Sequence, residues 1–60
     1  MKTFAVRSDT NYGIMVHIVN AETKEKAHDL AIEAGAWDKG ASNVEEVDVK
    51  KYGVVYEAAP

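Results

Sequence analysis

Ile14-Met15-Val16-His17-Ile18-Val19-Asn20 is a run of β-branched and apolar residues, and after Ala21-Glu22 the chain continues Thr23-Lys24-Glu25-Lys26-Ala27-His28-Asp29-Leu30-Ala31-Ile32-Glu33-Ala34. The first run has strand composition. The second is built mostly from good helix formers. Thr23 is its natural N-cap, because a threonine hydroxyl accepts from the free amides of a first turn. Ala27, Leu30, Ala31 and Ala34 share one face at i, i+3, i+4, i+7 spacing. Three of the four are alanine, so the helix can lie close on a sheet. Gly35 suits the left-handed position that ends it. Asp29 stands four residues from both Glu25 and Glu33. These like-charge pairs weaken the isolated helix, so packing must hold it.

Outward from this core, residues 2–8 alternate Phe4 and Val6 with Thr3, Ala5 and Arg7, the period of a strand. Ser8-Asp9-Thr10-Asn11-Tyr12-Gly13 is turn chemistry, which makes the first two strands a hairpin. Beyond the helix, residues 36–43 read as a loop. Residues 44–50 alternate Val47 and Val49 with Glu46, Asp48 and Lys50 as a third strand. Lys51-Tyr52-Gly53 reads as a turn, Val54-Val55-Tyr56-Glu57 as a short fourth strand, and residues 58–60 as a frayed tail. The expectation is a single α+β domain over 1–60 with ββαββ order. One helix packs on one face of a four-stranded, antiparallel-rich sheet. Phe4, Val6, Ile14, Val16, Ile18, Leu30, Val47 and Val49 form the expected core.

At 60 residues the chain holds one domain with a modest core. Small chains compensate with disulfides, a metal or self-association. There is no cysteine, and His17 and His28 are the only histidines, so disulfides and thiolate or histidine-rich metal sites are excluded. The start of the chain has no apolar run of a signal peptide, and no stretch of about 18 apolar residues could span a membrane. Together with the absence of cysteine, this gives a cytoplasmic expectation.

The net charge of −3 argues against nonspecific nucleic-acid binding. The aromatic residues Phe4, Tyr12, Trp37, Tyr52 and Tyr56 show no basic-aromatic pattern within a strand. Residues 29–48 carry Asp29, Glu33, Asp38, Glu45, Glu46 and Asp48 against Lys39, a local balance of −5. Such a run is a solvated face, or a patch that meets a basic partner.

No cofactor motif is present: there is no GxGxxG, phosphate loop or HExxH. Ser8 and Ser42 lack a nucleophile-elbow context. Glu45 and Glu46 are adjacent, so in a strand they point apart and cannot work as an acid/base pair. Asp38, Glu46 and Asp48 lack calcium-loop spacing. His17 could serve as a pH-sensitive contact or an acid/base group, and His28 reads as a solvated helix residue. The expectation is therefore a non-enzymatic protein with no catalytic, cofactor or metal residues.

One helix covers one face of a sheet, and the other face must be polar or covered by something else. With Ile14, Val16 and Ile18 toward the helix, Met15, His17 and Val19 face away. Ala5 and Val55 could join them on neighbouring strands. Trp37 either closes the core or anchors a partner. Met15, His17, Val19, Val55 and Trp37 are thus the candidate interface of a homodimeric protein-interaction module. The alternative is a protein that sequesters a small ligand or nucleotide at a subunit boundary.

The run from Val19 to Ala31, then Gly35-Ala36-Trp37, then Val44-Glu45-Glu46-Val47, resembles short ββαββ open reading frames of bacteriophages and other mobile elements. These share a strand, a capped alanine-rich helix and a closing acidic strand, and the likeness covers about two-thirds of the chain. It implies an accessory protein that antagonises host immunity by occupying a host protein or sequestering a signal. It supplies no catalytic residues.

Overall fold

Thr10, Asn11, Tyr12 and Gly13 reverse the chain in the computed structural model of the protein, which describes residues 1–37 and 42–58. The Tyr12 amide donates to Thr10 Oγ1 at 3.1 Å, and that hydroxyl donates to the Gly13 carbonyl at 2.8 Å. Asn11 and Tyr12 keep negative φ, while Gly13 takes +127°. A residue with a Cβ adopts that conformation only under strain. The turn joins β1 (Lys2–Thr10) to β2 (Gly13–Ala21), and α1 (Lys24–Glu33) and β3 (Ser42–Val47) follow. Both strand pairs are antiparallel, and the order is β2-β1-β3.

The helix is bounded as its sequence dictates. Lys26 N donates to Thr23 Oγ1 at 3.1 Å, which satisfies one free amide of the first turn. At the other end, Gly35 N donates to Ile32 O at 3.0 Å and Ala36 N to Ala31 O at 2.9 Å, with Gly35 at φ +112°. This pair of bonds is the Schellman arrangement, which satisfies the last carbonyls. It also turns Ala36 back into the core beside Ala31.

Phe4 and Val6 from the central strand, Ala21 from β2, Ala27 and Ala31 from the helix, and Ala36 form the buried cluster. Val19, Leu30, Ile32 and Val44 pack around it. The small helix residues let α1 approach the sheet until the Phe4 ring fills the gap. Burial of a phenylalanine or valine contributes about 1.5–3 kcal/mol each.

The expected four-stranded ββαββ fold is corrected to ββαβ with a three-stranded sheet. The likeness to short ββαββ phage proteins rested on that topology and fails with it. Among the described residues no strand follows β3. The chain instead turns on Asp48, whose side chain accepts from Lys50 N at 3.0 Å and whose carbonyl accepts from Lys51 N at 3.1 Å. This local bonding ends the third strand at Val47, short of residue 50, because Asp48 serves its own backbone and not a ladder. Val49 is therefore 57% exposed and outside the core. Val54–Glu57 has strand propensity but no ladder, and strand propensity acts only where there is a partner to pack against. Residues 38–41 of the expected loop, with Asp38 and Lys39 of the acidic segment, and residues 59–60 of the expected tail lie outside the described residues.

Candidate functional site

Cross-strand partners in a sheet share a face. Phe4 pairs with Val19, Val6 with His17, and Ser8 with Met15. Since Phe4 and Val6 face the helix, so do Val19, His17 and Met15. The expectation that these three face away is reversed. Ile14, Val16 and Ile18 point to the side the helix leaves open, opposite Asp9, Arg7 and Ala5. They leave the expected core; Val47, paired with Thr3, lies on the same side but stays buried as expected, at 8% exposure.

The side away from the helix has a largely polar centre between two unlike borders, the exposed aliphatic row of β2 and the buried Val47 of β3. Thr3, Arg7 and Asp9 project there from β1, and Asn43 and Glu45 project from β3. Arg7 Nε meets Asp9 Oδ1 at 3.2 Å. Thr3 Oγ1 donates to Asn20 Oδ1 at 2.6 Å and ties the far ends of β1 and β2 together. Ala5 sits in the middle, buried, with Thr3 and Arg7 along its own strand and Ile18 and Glu45 across from it. The β2 border is different. Val16 is 37% exposed and Ile18 is 58% exposed, with Ile14 half-buried beside them. β2 is also an edge strand, so a row of its backbone groups has no partner within the sheet. From Gly13 to Ala21 its one ionisable side chain is His17.

The five residues expected to form an interface are not brought onto one face. Met15, at 37% exposure, lies at the β2 edge on the helix side, and Val19 packs against the core cluster. Trp37 follows the Schellman turn and is half-buried, as is Val55 in the segment after β3. Neither is carried by the sheet.

On the helix side, Ser8 Oγ and His17 Nδ1 are buried and have no hydrogen-bond partner among the described residues. Ser8 is 1% exposed. The two residues occupy diagonal positions on neighbouring strands. A serine sealed from solvent cannot meet a substrate, so this pairing offers packing and not nucleophilic chemistry. Next to the first turns of α1, a surface groove is lined by Lys24, Glu25, His28, Asp29 and Val44. Among the described residues no three acidic or imidazole groups converge as a metal would require. No helix of the described residues is long and apolar enough to cross a membrane.

The aliphatic row at Ile14, Val16 and Ile18 was hidden in the sequence because Ile14–Val19 is apolar at every position except His17. Comparison with known protein families finds no match, and no curated protein or solved structure matches the chain either.

Proposed function

We propose that the chain is a small, non-enzymatic protein-interaction module whose working surface is the aliphatic border of β2. The observation that carries this reading is the exposure of Val16 and Ile18 side by side on an uncharged edge strand. Isolated surface aliphatics are ordinary, but a contiguous row beside unpaired backbone is a contact surface. A protein partner suits it, because a strand edge recognises another backbone through hydrogen bonds and through alternate side chains. A second copy of the chain is the simplest such partner, since every molecule carries the same edge.

Ile18→Glu tests this reading. It places a carboxylate on the most exposed residue of the border without touching the helix-side core. Wild type should show a concentration-dependent rise in mass by sedimentation, and the variant should stay monomeric with an unchanged circular dichroism spectrum. A wild type that remains monomeric at millimolar concentration would remove self-association.

A further inference from the structure

Resting on the interaction-module reading, we propose that the partner is a second copy whose β2 pairs antiparallel with this β2 about a two-fold axis at Val16. The two three-stranded sheets then form one continuous six-stranded sheet. In this register Val16 faces Val16 of the second copy, and Ile14 faces its Ile18. The three aliphatic residues of each chain become one band on the open face, as self-complementarity in a two-fold interface requires.

Two observations favour edge pairing of this strand over the other ways two copies could meet, and a third favours association of whatever geometry. The first is charge. β3, the other edge, carries Glu45 and Glu46. Pairing it with itself would bring carboxylates of like sign together, which is how edges are commonly guarded. From Gly13 to Ala21, β2 carries no acid, lysine or arginine, and no proline interrupts its nine residues. The second is the polarity of the open face. Stacking two open faces would bury Arg7, Asp9 and Glu45, whose desolvation opposes association. Edge pairing leaves them in water. The third is area. The chain exposes 4466 Å². A self-contained protein of 6.6 kDa exposes roughly 3,900 Å². The excess of about 600 Å² approaches the roughly 800 Å² per partner of a standard interface.

The absence of native cysteine makes disulfide trapping a clean test. Residues directly opposite in an antiparallel pair have Cα atoms about 4.5–5.5 Å apart, inside disulfide range. Val16→Cys should therefore cross-link to itself under mild oxidation and run almost wholly as a covalent dimer. Ile14→Cys should not, because the axis places its two copies roughly 13 Å apart along the strands. In the wild type, amide exchange within residues 14–18 should slow about tenfold or more between dilute and concentrated samples. This measurement needs no variant and stands even if a cysteine disturbs folding.

Wild type that dimerises while Val16→Cys fails to cross-link, with no concentration-dependent protection in β2, overturns edge pairing and leaves the module reading standing. That is the result for stacked faces, whose backbones lie about 10 Å apart. A wild type that is monomeric throughout removes self-association, and with it edge pairing and face stacking alike.

Discussion

Ser8 and Gly35 show how single residues set the balance of a small domain. Ser8 Oγ is buried with no hydrogen-bond partner among the described residues, and a buried polar group in that state costs about 1–3 kcal/mol. Ser8→Ala removes the hydroxyl and keeps the volume nearly unchanged. It should raise stability by about 1 kcal/mol, read as a higher urea midpoint at constant slope. A fall would mean that the hydroxyl is satisfied by water in solution. Gly35 holds φ +112°, and nothing lies within 4 Å of where a Cβ would stand. The cost of Gly35→Ala is therefore backbone strain alone, about 1–2 kcal/mol of destabilisation by the same measurement. Gly35 is legible in sequence because a glycine directly after a helical run has a local reason to be there. Ser8 is not legible, because a serine followed by Asp9-Thr10-Asn11 reads as turn chemistry until the register shows it inside.

At the scale of elements, the hairpin and the helix are legible in the sequence, whereas the face that β2 presents and the number of strands are not. The hairpin, the helix and its Thr23 cap all follow from neighbours in sequence. Thr23→Ala deletes the one side-chain bond to the first-turn amides and should cost about 1 kcal/mol in thermal or urea unfolding, with no change in association. The face of β2 depends on something subtler. Partner numbers in this hairpin sum so that Thr10 meets Gly13 across a two-residue link. One more residue in the link would put Ile18, not His17, opposite Val6 and reverse every side chain of β2. With the turn read as all of residues 8–13, that parity is lost. Nor does hydrophobicity restore it, since both faces of β2 are apolar. The structure thus turns Met15, His17 and Val19 to the helix side and Ile14, Val16 and Ile18 to the other. The expected fourth strand failed for a related reason. Val54-Val55-Tyr56 has the composition of a strand, but a ladder also needs a strand edge to pair with, and composition does not supply one.

For the whole molecule, the question is how so few buried side chains hold one structure. A domain of 60 residues is stable by roughly 3–9 kcal/mol at ordinary per-residue values. Phe4 is the largest buried side chain, and Phe4→Ala removes about 3–5 kcal/mol through lost transfer energy and the cavity left behind. That variant should be largely unfolded at low concentration, with circular dichroism and exchange showing loss of the sheet. The remaining resource is mass action: a partner that binds only the folded chain stabilises it. If β2 pairs with a second β2, raising protein concentration about tenfold adds about 1.4 kcal/mol per dimer, shared between two chains. The melting temperature should then rise by roughly 3–5 °C for a domain of this size. Ile18→Glu should abolish that dependence while leaving the melting temperature of the dilute protein nearly unchanged, because Ile18 is 58% exposed and belongs to no part of the buried cluster. The two effects separate a residue that holds the fold from one that holds the partner. A concentration dependence that survives Ile18→Glu would place the contact elsewhere on the molecule, and one absent from the wild type would mean the sheet ends at β2.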